Sequence, residues 1–229
     1  MLDLASPEDI VAVVMAAGAG RRFGFRPKSL LTRDGEPLLE RQIRLLTEAG
    51  LRQLVVALGH HAEVLRPLLA LLQPRLPAGV MLREALNSNP DAGTASSLCT
   101  ALAALPPATT GVLVVLADQP LLSVSDLRAA LAAWATRPAG VDLVLPMHNG
   151  QPGHPLVFGP AVRRAIEAGQ GRLGVRDWRR AHPERVRALQ VDHPRCTQDV
   201  DSDADLPLLA REHDVHLRWP PAVPSRESS

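Results

Sequence analysis

The sequence predicts an α/β fold, a single Rossmann-like three-layer domain built on a mainly parallel sheet. Three observations carry that reading. Apolar runs of strand length alternate with longer segments of helical periodicity. Val112 to Leu116 is continuously apolar, as a central strand covered on both faces must be. A hydrophobic content of 46% over 229 residues is enough for one sizeable core.

The elements follow in β-α-β-α order: strand 10–15, helix 38–49, strand 54–58, helix 61–72, a short strand 80–82, an Ala/Leu-rich helix 94–105, strand 112–117, helix 125–135 and strand 143–145. From 147 to 201 the rhythm changes to a Gly/Pro-rich loop, a strand at 156–158, two short helical stretches and a strand near 186–191. Residues 1–9 read as an N-terminal extension, 10–212 as the domain, and the Pro/Ser-rich 213–229 as a flexible tail. Ligands in such sheets bind beyond the carboxyl ends of the strands, which directs attention to 16–28 and 118–120.

Composition excludes several functions. Lys plus Arg total 25 against 24 Asp plus Glu, and no basic block forms a phosphate-backbone patch. With 3% aromatic residues and no Tyr, base-stacking platforms are missing, so nucleic acid is not an expected partner. No apolar run approaches the ~20 residues of a membrane span, and Asp3, Glu8 and Asp9 do not make a secretory leader. Cys99 and Cys196 are far apart and form no C-x-x-C pair, which fits a reducing compartment. A cytoplasmic monomer is the expectation.

The loop Ala16-Ala17-Gly18-Ala19-Gly20-Arg21-Arg22-Phe23-Gly24 follows the first strand, and its small residues let backbone N–H groups approach an anion. Its G-x-G-x-x-x-G spacing misses the dinucleotide fingerprint, and Pro27 before Lys28-Ser29 misses the Walker A loop. Lys28 is the single lysine among 25 basic residues. A compact ammonium inside a phosphate-type loop has a chemical reason to be there, whereas an exposed loop lysine is the bland alternative. Asp118 leaves a buried strand where a carboxylate can hold Mg²⁺ against phosphate oxygens, and Ser123 or Ser125 is better placed to cap the next helix. Asp199, Asp201, Asp203 and Asp205 crowd one segment. In extended chain Asp199 and Asp201 share a face, while Ser202 or Asp203 could cap a final helix. An EF-hand fails there for want of its Gly and distal Glu, and zinc at His148 and His154 lacks further ligands.

Taken together, Ala16-Ala17-Gly18-x-Gly20-x-Arg22 with the later Pro27-Lys28 resembles the nucleotide-binding signature of MobA-like nucleotidyltransferases. Ala17, where other members carry Gly, is similar to the molybdenum cofactor cytidylyltransferases, which use CTP. The segment from Asn89-Pro90 through Gly93 to Ser97-Leu98 resembles the family's loop and helix start lining the nucleotide pocket, and Gly93-Thr94-Ala95 also looks like sugar-phosphate nucleotidyltransferases. Asn149-Gly150-Gln151-Pro152-Gly153-His154-Pro155 is closely similar to the cytidylyltransferases' Asn-Gly-x-Pro-Gly-His-Pro run. Asp199 to Leu206 resembles the closing acidic motif, and Gly169 to Arg176 a weaker Gly-Asp-x-Gly-x-Arg segment.

The resemblance implies a nucleotide-diphospho-sugar transferase-like fold with a nucleotide-binding half at 10–146 and an acceptor-binding half at 147–212. It implies Mg²⁺-dependent transfer of CMP from CTP to the terminal phosphate of molybdenum cofactor, with a molybdoenzyme or its chaperone as the recipient. Arg22, Lys28 and Asp118 would be catalytic. Ala16, Ala17, Gly18, Ala19, Gly20, Lys28, Asn89, Gly93 and Ser97 would bind nucleotide. Gly153, His154, Pro155 and Arg172 would bind the acceptor, and Asp118 with Asp201 the metal. Two alternatives stand beside it: transfer to a sugar or polyol phosphate, and a non-catalytic nucleotide-binding or cofactor-delivery protein.

Overall fold

Burial on both faces decides where the first strand lies. Ile-Val-Ala-Val-Val-Met-Ala offers no polar side chain to solvent, and β1 (Ile10–Ala16) accordingly sits inside the sheet. The computed structural model describes residues 10–220. After β1 come β2 (Thr32–Arg33), β3 (Glu36–Pro37), α1 (Leu38–Glu48), β4 (Gln53–Leu58), α2 (Ala62–Leu72) and β5 (Met81–Leu86). Then follow α3 (Thr94–Ala103), β6 (Gly111–Leu116), α4 (Val124–Ala135), β7 (Leu143–His148), β8 (Gln151–Pro152) and β9 (Leu156–Phe158). The remaining elements are α5 (Pro160–Ala168), α6 (Val175–Ala181), β10 (Val186–Gln190), α7 (Asp205–His213) and β11 (Leu217–Arg218).

The main sheet runs β10-β7-β9-β6-β1-β4-β5, with β8 paired to β7. β1 is parallel to both β4 and β6, so strand order reverses between β1 and β6, the topological switch point at which a crevice opens. The sheet is mixed because β9 runs antiparallel to β6 and β7. Residues 149–155 are too few for a parallel crossover, which needs a dozen or more.

Alternation along β1 splits the core. Ile10, Ala12 and Val14 face Leu39, Ile43, Leu65, Leu127 and Trp134 of α1, α2 and α4. Val11 and Val13 face Leu98, Leu102, Val162, Ile166 and Trp178 of α3, α5 and α6. Helix α4 begins where the sequence says it should, with Ser123 in a reciprocal capping box with Asp126.

A third cluster gathers Phe23, Leu31, Leu38, Leu121, Val200, Leu209, Val215 and Leu217. It corrects the expectation of a flexible tail from 213. Val215 and Leu217 are buried, β11 pairs with β2, and Trp219 meets Phe23 edge-on at 5.5 Å between ring centroids. The reason is the alternation of Val215, Leu217 and Trp219, which gives the segment an apolar face despite its prolines. Residues 221–229 of the expected tail, and the extension 1–9, lie outside the described residues.

Candidate active site

The chain leaves β1 through Ala16 and Ala17, each 8% exposed, into Gly18, which is exposed. Gly20 and Gly24, both at φ 63°, bracket a 3-10 turn at Arg21–Phe23 that Phe23 anchors in the third cluster. Gly20 is demanded by the fold, since a Cβ there would collide with the Arg26 carbonyl. Gly18 is not, because a Cβ would meet no protein atom within 4 Å. Gly18 borders open space, so protein packing does not require its missing side chain.

Pro27, in extended conformation, starts a second 3-10 turn at Lys28–Leu30, with Ser29 buried beneath it. The turn delivers Lys28 to the acids. Its Nζ lies 2.6 Å from Asp118 Oδ2 and 2.9 Å from Asp201 Oδ1, while Arg22 reaches the other oxygen of Asp201 at 3.1 Å. Asp118 arrives from the end of β6, where the Ala117 amide donates to the Met15 carbonyl. The Val200 amide donates to the Asp118 carbonyl at 3.0 Å, so 199–201 runs alongside, and carboxylate oxygens of Asp118, Asp199 and Asp201 lie within 4.8 Å of one another.

The charges are coupled. Burial disfavours the Lys28 ammonium, but Asp118 and then Asp201 outweigh that and hold its pKa above the ordinary value. The hydrogen bond from Lys28 keeps the Asp201 carboxyl below its usual range. Asp199 goes the other way: burial, then the neighbouring Asp118 and Asp201 carboxylates, push it up. Three clustered carboxylate oxygens, one with its ionised form disfavoured by burial and then by its neighbours, are hard donors suited to a divalent cation. Asp199 is the member that reading the sequence did not assign to metal, although its position two residues from Asp201 on an extended segment was the available signal.

Buried amides hold the acidic loop in place. Gln42 of α1, fully buried, donates to the Gln119 carbonyl at 2.8 Å, and Gln119 Nε2 donates to the Cys196 carbonyl at 2.9 Å. The same Cys196 carbonyl accepts from the His154 amide at 2.8 Å, joining the loop after β6 to the loop before β9. Gly153 is buried there, and the position must be glycine because any Cβ would strike the Cys196 carbonyl. Pro155, also buried, follows the partly buried His154. Burial of the imidazole pulls the His154 pKa down to about 4.

The other expected ligand contacts spread over a second region. Asn89, Gly93, Ala95, Ser96, Gln170 and Arg172 line a cleft of about 480 Å³ between the start of α3 and the loop before α6. Arg172, expected with the acceptor group at 153–155, stands instead with Asn89 and Gly93. The chain fold explains it, since Gly171 packs against Ser96 and Gly174 against Ala95. Ser97, expected against the nucleoside, is only 3% exposed, and its hydroxyl accepts from Asn87 Nδ2 at 3.0 Å. Asn87 in turn accepts from the Asn89 amide, so Ser97 shapes the cleft from below. No side-chain cap closes the N-terminus of α3. The glycine loop is tied to this region by Arg21 on Asp91 at 2.7 Å, and to the start of α2 by His61 on the Ala19 carbonyl at 3.0 Å.

A lone ammonium, an ion-pair network at the switch point and an adjoining polar cleft define a site for a polyanionic, phosphate-bearing ligand in an α/β fold. Residues 12–186 match the family model described as MobA-like NTP transferase domain, and the chain belongs to that family of nucleotidyltransferases. It is 29% identical over 199 residues to nicotine blue oxidoreductase of Paenarthrobacter nicotinovorans, covering 84% of this chain and 92% of that one. It is 33% identical over 143 residues to the bifunctional protein GlmU of Mycobacterium avium, covering 62% of this chain and spanning only 29% of that longer relative. Among solved structures, Rv0371c of Mycobacterium tuberculosis aligns at TM-score 0.69 and 28% identity over 90% of this chain and 100% of that one. A structure of Rv0371c in complex with manganese aligns at TM-score 0.66. A nucleotidyl transferase of Methanothermobacter shares the fold at TM-score 0.67 and 22% identity, over 89% of this chain and 96% of that one. No helix among the described residues is long and apolar enough to cross a membrane.

Two measurements check the local roles. Ser97→Ala should cost about 1 kcal/mol of stability by taking an acceptor from buried Asn87, read as a lower urea midpoint. A large loss of nucleotide affinity with unchanged stability would return Ser97 to the ligand. His154 is neutral when folded and its pKa lies below the unfolded value of about 6.5, so its contribution is full above that pH and is lost as pH falls toward about 4. His154→Gln should flatten the fall in melting temperature across that window, and an unaltered pH profile would contradict the burial argument.

Proposed function

We propose that the chain transfers CMP from CTP to the terminal phosphate of molybdenum cofactor. An acceptor phosphate oxygen attacks the α-phosphorus, the bond from that phosphorus to the β-phosphate bridging oxygen breaks, and pyrophosphate leaves. The observation that carries the transferase reading is the meeting of Lys28 with Asp118 and Asp201 at the β1/β6 switch point. Phosphoryl-group transfer needs positioning and charge neutralisation more than a side-chain nucleophile.

In this reading Gly18, Ala19 and Gly20 present backbone N–H groups to the triphosphate, and Lys28 with Arg22 offsets charge growing on its oxygens. Asp118, Asp199 and Asp201 would hold a divalent ion, Mg²⁺ in the cell, and the bound ion would supply Lewis-acid neutralisation of phosphate oxygens. Ala16 and Ala17 border the base, while Asn89 and Gly93 receive the ribose and base in the cleft they line. Arg172 belongs to that same cleft in this account. Gly153, His154 and Pro155 orient the acceptor, with the imidazole neutral and able to donate without adding charge. The choice of CTP rests on Ala17, and the choice of acceptor on the 149–155 run, both by resemblance.

A matched assay of CTP, GTP and ATP with molybdenum cofactor as acceptor tests it. Metal-dependent pyrophosphate release with CTP alone is the expected result. A second reading, transfer to a sugar phosphate, is favoured by the GlmU relatives, and release only when a sugar 1-phosphate replaces the cofactor would select it. Release with no nucleotide and acceptor pair would leave a binding protein. Redox turnover of nicotine blue without pyrophosphate release would instead bring over the activity named for the Paenarthrobacter relative.

A further inference from the structure

The Lys28 ammonium spans two of the three carboxylates available to a divalent ion, at 2.6 Å from Asp118 and 2.9 Å from Asp201. Its side chain is 17% exposed, and the backbone of the Lys28–Leu30 turn aims it there. By contrast Arg22, the other cation on Asp201, is 72% exposed and held at 3.1 Å, a pair that solvent weakens. The lone pairs that bind Lys28 are those a metal would use, and an ammonium and a divalent ion on the same oxygens repel each other. A flexible four-carbon stem can carry the charge between these carboxylates and a neighbouring phosphate without moving the backbone.

We propose that Lys28 is a built-in competitor for the metal site, exchanged onto the triphosphate when nucleotide binds, so that nucleotide binding releases Asp118 and Asp201 for the divalent ion. This rests on the nucleotidyltransferase reading above. Two consequences follow from linkage. Metal binds weakly to the free protein, and nucleotide raises metal affinity by the same factor by which metal raises nucleotide affinity. The exchange keeps a cation on Asp118 and Asp201 at every stage, either Lys28 or the ion.

The test is Mn²⁺ titration, with free Mn²⁺ followed by electron paramagnetic resonance, of the wild type and Lys28→Met, with and without α,β-methylene CTP. Lys28→Met should bind Mn²⁺ about tenfold more tightly without nucleotide, and the roughly tenfold enhancement by the analogue in the wild type should shrink toward one. Equal or weaker Mn²⁺ binding by folded Lys28→Met overturns the proposal. A second measurement does not depend on the variant folding. Because the chain has one lysine, wild type grown with [ε-¹³C]lysine gives a single side-chain resonance. Saturating Mg²⁺ alone should displace that signal, and the analogue should shift it to a different position; a signal unmoved by saturating Mg²⁺ refutes the exchange. Pyrophosphate release by the wild type is scored separately. Transfer without the affinity change keeps the enzyme and removes the competitor, and the affinity change without transfer does the reverse.

Discussion

Lys28→Ala is expected to lower turnover by about 10²–10³-fold in a CTP-dependent pyrophosphate assay, the range found when one charge-stabilising donor is removed from a transfer site. Stability should change less and in a way that depends on metal. Without the ammonium, Asp118, Asp199 and Asp201 face one another with only the exposed Arg22 on Asp201 as counter-charge, at a cost of about 1–2 kcal/mol. Saturating Mn²⁺ should return the melting temperature, because a cation of either kind relieves the carboxylates. It should not return turnover, because the metal cannot also neutralise the phosphate oxygens that Lys28 serves. Calorimetry with and without Mn²⁺ beside the kinetic assay separates the two effects. Recovery of both by saturating metal would remove Lys28 from the mechanism and leave it a structural counter-ion.

That the lone lysine was visible in advance follows from chemistry rather than spacing. In a chain whose other basic residues are all Arg, a single Lys inside a small-residue loop marks a place where a point charge is required. Asp118 was legible for a similar reason, since a buried apolar strand must end somewhere, and a carboxylate directly after it emerges at the sheet edge. The parallel core was readable from β-branched runs that leave no wet face. What sequence could not rank was a choice among like residues. Four aspartates in seven positions have the same chemistry, and long-range contacts, the Val200 amide on the Asp118 carbonyl and Lys28 on Asp201, bring Asp199 and Asp201 beside Asp118. Ser97 looked like a ligand contact because its satisfying partner, Asn87, lies ten residues earlier in a different element. Arg172 stands in the cleft beside Asn89 and Gly93 because loop 169–172 packs on α3, a contact with no local signature. The segment after 213 did carry its signal, an alternation of apolar residues that proline and serine content masked.

Asp118→Asn and Asp199→Asn should then part company in a manner that only metal ligands share. Replacing Asp118 removes one arm of the Lys28 pair, but Lys28 keeps Asp201 at 2.9 Å, so the unfolding free energy should stay within about 1 kcal/mol. Turnover should fall by about 10³-fold, since a neutral amide is a poor substitute both for a hard anionic ligand and for the partner that fixes Lys28. Asp199 starts from a different position. Its raised pKa means that folding works against its ionised form, so removing that charge should stabilise the metal-free protein at neutral pH, read as a higher melting temperature. The same substitution should weaken Mn²⁺ binding and flatten the rise in melting temperature that Mn²⁺ gives the wild type. Opposite signs for stability and metal affinity identify a carboxylate kept for its ligand rather than for the fold. If Asp199→Asn instead destabilised the protein and left Mn²⁺ affinity intact, the three acids would be a structural ion-pair network around Lys28.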